Sequence, residues 1–157
     1  MTETHLSCSS GNPKDALAEA ARISEENGVR LTPLRKRVLE LLLAAKSPAK
    51  AYDLLEQLSK EDTTPAKPPT IYRALDFLLQ QGLAHKIESL NAYVACGHRG
   101  HGHAAAFLIC ERCESAKEMH AESTFSALKQ ETQDMSFKFL NAVIEVRGIC
   151  EKCQISV

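Results

Sequence analysis

The sequence has no long apolar run. Nothing in it approaches the ~18 consecutive apolar residues that carry a helix across a bilayer, so a membrane partner is not expected. Met1–Pro13 is polar and lacks both the basic start and the apolar stretch of a secretory signal. Glycine is scarce, 7 in 157 residues, which excludes a collagen repeat. With 44% apolar and 25% charged residues, the disordered and coiled-coil classes are excluded as well. An excess of one charge is also missing, since 19 basic against 20 acidic side chains leave a net charge of −1. A cytoplasmic globular protein is expected, with room for one compact domain or two small ones.

The balanced total hides an uneven distribution. Residues 29–90 hold ten basic and seven acidic side chains, whereas residues 1–28 hold two and five. A local basic segment is enough for an electrostatic footprint on nucleic acid. The six cysteines need a reason too, because a disulfide framework does not suit a reducing compartment. Four of them form two C-x-x-C pairs, Cys110/Cys113 and Cys150/Cys153. Two such turns can close a four-thiolate tetrahedral zinc site with no open position, which is a structural arrangement and not a catalytic one. The 36 residues between the pairs are more than a zinc ribbon uses, so a helix and a strand must fit between them.

Residues 1–13 are expected to be disordered, and helices are predicted over residues 16–27, from Thr32-Pro33 to about Ala45, over Lys50–Ser59, and from Pro69 to about Gln81. Gly28 and the proline of Ser47-Pro48 mark stops. On the fourth helix, 100° steps gather Ile71, Leu75, Leu78 and Leu79 on one side and turn Arg73, Asp76 and Gln80 outward. Leu83–Glu88 and Ala92–Cys96 read as a β-hairpin. Helices followed at once by a hairpin make a winged helix-turn-helix pattern. Residues 97–106, rich in glycine and histidine, read as a loop or hinge. Beyond it, strands are predicted at Phe107–Cys110, Ala116–Met119 and Phe137–Arg147, with a helix at Ser123–Gln133.

The fourth helix carries the DNA reading. Its N-terminus favours phosphate, Thr70 and Tyr72 offer hydroxyl groups, and Arg73 can fork onto a guanine edge. Arg30 is placed to reach a phosphate from a turn, whereas Arg35, Lys36 and Arg37 read as a solvated helix face. Around the hinge, His85, Cys96, His98, His101, His103, Glu118 and His120 form a pool of candidate ligands for a second metal site, and imidazole plus thiolate suits zinc. Donors drawn from both halves would couple metal binding to their relative orientation.

These residues resemble the ferric uptake regulator family of metal-dependent repressors, in its zinc-responsive branch. The resemblance spans about residues 15–155. It rests on Arg30-Leu31-Thr32-Pro33-Leu34-Arg35, Ala51-Tyr52-Asp53-Leu54-Leu55, Pro68-Pro69-Thr70-Ile71-Tyr72-Arg73-Ala74-Leu75-Asp76-Phe77-Leu78, Gly82-Leu83-Ala84-His85-Lys86-Ile87-Glu88, Phe107-Leu108-Ile109-Cys110-Glu111-Arg112-Cys113 and Val143-Ile144-Glu145. It implies an α+β protein: an N-terminal winged helix-turn-helix domain over residues 1–94, a hinge over 95–104, and a C-terminal α/β dimerisation domain over 105–157. It implies two Zn2+ per chain, one held by Cys110, Cys113, Cys150 and Cys153, the other regulatory and held by His85, Cys96, His103 and Glu118. His103 is chosen by its distance from Cys110; His98, His101 and His120 stand as alternatives. Base contacts would fall to Tyr52 and Arg73. The implied partners are a palindromic A/T-rich double-stranded operator and a second copy of the chain, with no small-molecule substrate. Ala104-Ala105-Ala106-Phe107 stands where the iron- and peroxide-sensing branches have a histidine- and aspartate-rich run, which favours zinc.

Three rivals are weighed. A repressor of the same family could sense iron or another metal. A constitutive DNA-binding protein would hold only the structural zinc. His120-Ala121-Glu122 with Cys150 and Cys153 imitates the zinc deaminase signature H-x-E…P-C-x-x-C, but Ile149 replaces the proline and Cys110/Cys113 would be idle. Cys8 has no assigned role.

Overall fold

The structure is a computed structural model and describes residues 12–61, 67–97 and 104–155. The chain divides into two compact units, Met1–His101 and Gly102–Val157. No helix among the described residues is long and apolar enough to cross a membrane.

Among the described residues, the first unit holds four α-helices: α1 (Pro13–Glu26), α2 (Pro33–Ala44), α3 (Ala51–Glu61) and α4 (Pro68–Gln80). Of the stretch expected to be disordered, residues 1–11 lie outside the described residues. Asn12 and Pro13 instead begin α1, three residues before the predicted start. The Asn12 side chain accepts from the Lys14 amide at 3.1 Å, and Pro13 occupies the first helical position. α2 opens as predicted, with Thr32 accepting from the Arg35 amide and Pro33 following. Both α1 and α4 end in the same device. Gly28 (φ +66°) and Gly82 (φ +65°) turn left-handed, and Val29→Ser24 and Leu83→Leu78 amide-to-carbonyl bonds of 2.9 and 2.8 Å close the turns. Leu83 is thereby driven fully inside.

The core of this unit is built from Ile23, Val38, Leu39, Leu54, Leu58, Ile71, Leu75, Phe77, Leu78 and Leu83. Strands β1 (Ala84–Ile87) and β2 (Ala92–Ala95) form an antiparallel hairpin, joined by a 3-10 turn at Glu88–Leu90 with Asn91 left-handed. Ala49 adds a third edge. Its amide and carbonyl exchange bonds of 2.9 and 2.8 Å with Tyr93, so the wing is anchored to the α2–α3 connection. This is a winged helix-turn-helix.

The second unit holds β3 (Ala105–Cys110), β4 (Ala116–Met119), α5 (Glu122–Asp134), β5 (Val143–Gly148) and α6 (Glu151–Ile155). The sheet order is β4-β3-β5, with β3 antiparallel to β4 and parallel to β5. Two predictions are corrected here. β3 takes in Ala105 and Ala106, which read as loop, because they pair with Val143 and Ile144. β5 begins at Val143 and not at Phe137, and Phe137 and Leu140 stand exposed ahead of it. Among the described residues of this unit burial is confined to β3, where Ala105, Ala106, Phe107, Ile109 and Cys110 are inside, and none of the α5 residues is buried.

Candidate metal and nucleic-acid sites

The cysteine pairs sit on two short turns at neighbouring strand ends. Cys110 closes β3, and Cys113 follows in a turn where Glu114 takes a left-handed conformation. β5 runs alongside β3 and pairs Gly148 with Cys110, so the next residues bring Cys150 and Cys153 to the same end of the sheet. The four sulfurs lie within 4.8 Å of one another, with Cys113 Sγ and Cys150 Sγ 3.7 Å apart. A tetrahedron with zinc–sulfur bonds of ~2.3 Å has an edge of about 3.8 Å, so the donor set fits zinc.

Hydrogen bonds already prepare this cage. The Cys150 amide points at Cys110 Sγ from 3.3 Å, and Ser115 Oγ lies 3.1 Å from Cys113 Sγ. The Cys150 and Cys113 amides hold the Cys110 thiol down to about 6, and the Ser115 hydroxyl lowers that of Cys113. Cys153 is pushed up to about 12, first because it shares a hydrogen bond with Cys150 and then by burial. Four thiols packed together cannot all ionise unless a cation neutralises them. Cys153 also begins the last turn that Arg112 pins, its guanidinium donating to the Cys153 carbonyl at 2.7 Å. The short helix α6 that carries Cys153 was missed from sequence; its only signal is the C-x-x-C spacing itself.

The second donor group starts on the wing. His85 lies on β1 opposite Val94, and Cys96 follows β2, its amide bonded to the Leu83 carbonyl at 3.0 Å. That bond closes the mouth of the hairpin and brings the His85 and Cys96 donor atoms within 4.8 Å of each other. Cys96 is buried and His85 half-buried. Glu118 lies on β4 in register with Phe107, on the same side of that sheet. β4 ends at Met119, so His120 sits past the strand and is exposed. His98, His101 and His103 lie outside the described residues, as does Cys8.

The nucleic-acid candidates fall in the first unit. Arg73 and Tyr72 are exposed on α4, whose opposite face buries Ile71, Ala74, Leu75 and Leu78. Tyr52, the second residue of α3, is 67% exposed, and Arg30 is exposed in the turn between α1 and α2. One expectation needs refinement. The N-terminus of α4 offers phosphate few amides, because Pro68 and Pro69 have none and Thr70 gives its own to the Lys67 carbonyl at 2.9 Å. Thr70 is left with its hydroxyl. The run Arg35-Lys36-Arg37 is not a uniform solvated face either: Arg37 pairs with Glu40 at 2.8 Å, and Arg35 is folded back against the protein.

Comparison with known proteins agrees with this geometry. The model of the ferric uptake regulator family matches residues 26–147. The zinc uptake regulation protein of Escherichia coli (strain K12) is 43% identical over 141 residues, covering 89% of this chain and 82% of that protein. A solved zinc uptake regulator complexed with zinc and DNA superimposes with a TM-score of 0.85 at 40% identity, covering 93% of this chain and 97% of the other. Holo XcZur gives 0.81 at 40% identity, covering 92% and 99%.

Proposed function

The chain belongs to the ferric uptake regulator family, and from that premise we propose that it is a zinc-responsive transcriptional repressor of zinc uptake genes. The family is one of transcriptional regulators and not of enzymes, which removes the deaminase reading. The observation that carries the choice of zinc is the His85–Cys96 pair, a nitrogen and a sulfur donor held together by the wing. That pair suits zinc better than an oxygen-rich iron site.

In this reading residues 1–94 form the DNA-binding domain, 95–104 the hinge and 105–157 the dimerisation domain. Two zinc ions bind per chain. Cys110, Cys113, Cys150 and Cys153 hold the structural one, which cross-links the ends of β3 and β5. His85, Cys96, His103 and Glu118 hold the regulatory one. His85 and Cys96 belong to the wing and Glu118 to the second sheet, so filling this site fixes the orientation of the DNA-binding half. The exposed apolar residues Leu108 and Val146, paired in register on one face of the sheet, support assembly as a homodimer. The dimer presents two α4 helices to a palindromic A/T-rich operator. There Arg73 and Tyr52 read bases, while Thr70, Tyr72 and Arg30 meet phosphates. The protein works in the cytoplasm.

The test is operator binding by the purified protein across a buffered free-zinc series, with bound zinc counted per chain. Binding should switch on as the count rises from about one to about two. Equal binding at both counts would favour the constitutive reading, and switching with ferrous iron but not zinc would favour an iron sensor.

A further inference from the structure

Arg35 makes two contacts that an exposed cation on a helix face has no reason to make. Its Nη1 donates to the Arg30 carbonyl at 2.7 Å, and its guanidinium carbon lies 3.8 Å from the centroid of the Phe77 ring. Its amide is also committed, to the Thr32 hydroxyl that caps α2. Phe77 is a buried residue of α4, one helical turn after Arg73. A single side chain therefore touches the turn that carries Arg30 and the helix that carries Arg73. A second tie joins the same two elements further along, where Asn27 Nδ2 donates to Gln81 Oε1 at 2.9 Å. Of the neighbouring cations, Lys36 is exposed and Arg37 pairs with Glu40 on the same helix.

We propose that Arg35 is a positioning residue for DNA recognition: it locks the α1–α2 turn, and with it Arg30, to the recognition helix through Phe77. The inference deepens the function proposed above and rests on its assignment of Arg30 to a phosphate and Arg73 to a base. The chemistry calls for arginine. A planar guanidinium can stack on the ring and fork a hydrogen bond outward to a carbonyl at the same time, whereas a lysine ammonium keeps the charge and loses the stack. Phosphate contacts set the register of a protein on the duplex. A turn free to drift against α4 would let the backbone contact and the base contact fall out of step.

The test uses the zinc-loaded, full-length protein with Arg35→Gln, Arg35→Lys and Phe77→Leu. Amide hydrogen exchange without DNA comes first. All three variants should stay folded, with faster exchange at Val29 and Thr32, whose amides close the turn. Unchanged exchange there would overturn the proposal, whatever the DNA measurements show. Operator binding follows. Each variant should weaken it about tenfold. Arg30→Ala, which alone lowers the salt slope by about one, should cost less than about twofold in the Arg35→Gln background. Full retention by Arg35→Lys would mean that Arg35 acts as a charge on DNA and would also overturn the proposal. So would additive losses in the double variant. If Arg30→Ala alone leaves binding unchanged, the phosphate role of Arg30 fails, and the exchange data still decide whether Arg35 ties the turn to the helix.

Discussion

Removing zinc from the four-cysteine cage should unfold the second unit and leave the first intact. The reasoning starts from burial. Among the described residues of the second unit, only five, all in β3, are buried, and Phe107 and Ile109 are the only large ones among them. Together they contribute roughly 3–6 kcal/mol of apolar burial. A structural zinc supplies about 10–16 kcal/mol at neutral pH, which exceeds that apolar contribution and matches the whole stability of an ordinary domain, about 5–15 kcal/mol. Among the described residues, the first unit gathers thirteen large buried side chains in one cluster and has no four-cysteine cage to lose. The perturbation is a strong chelator, or Cys110→Ser, with metal content measured. The assay is amide hydrogen exchange resolved along the chain. Protection of β3, β4 and β5 should collapse while α2 and α4 keep theirs, and the dimer should dissociate. A protein proven free of zinc that retained slow exchange in β3 and β5 would refute the reasoning.

Other outcomes follow from single residues. Arg73→Ala should cost roughly 1–3 kcal/mol of operator binding and relax base preference; an equal loss on random DNA, in a competition titration, would remove its base-reading role. Gly28→Ala should destabilise the first unit by about 1 kcal/mol in urea unfolding, because a Cβ there meets nothing within 4 Å and the whole cost is the left-handed backbone. A neutral result would show that the turn can relax. Tyr93 is buried in the wing, and burial raises its hydroxyl above the ordinary value of 10.0. The unfolded chain therefore ionises first. Stability is intact below about pH 10 and falls as pH rises through the folded value. Tyr93→Phe should move the alkaline limb of a pH–stability curve upward, and an unmoved limb would assign alkaline unfolding to other groups.

The elements that sequence reading placed well carry their own punctuation. Thr32-Pro33 and Gly82 mark helix ends by local chemistry, and the faces of α4 follow from angular spacing alone. Both C-x-x-C pairs are equally local. The misplacements occur where distant pairing decides. Three alanines have poor strand propensity, and Ala105 and Ala106 become strand only because β5 lies beside them. Phe137 and Leu140 are apolar enough to suggest strand, yet they make no ladder and stand exposed. Ala49 gives no sign of being a wing strand until Tyr93 pairs with it. The same division runs through the sites. That His85 and Cys96 meet follows from hairpin register, which a spacing of eleven residues does not specify. Arg35 read as one charge in a run of three, because its distinction lies in Phe77, 42 residues away.

The parallel pairing of β3 with β5 also sets an order in time. The wing and its helices close through contacts made before residue 98, so they can finish while the rest of the chain is still being made. The metal cage cannot. Cys110 leaves the ribosome 40 residues ahead of Cys150, an interval of about 2–8 s at ordinary synthesis rates. Throughout it β3 can pair with β4, but half of the cage waits for β5, the strand that brings the other half, and the growing chain has a finished DNA-binding unit before the sheet of its second unit is complete.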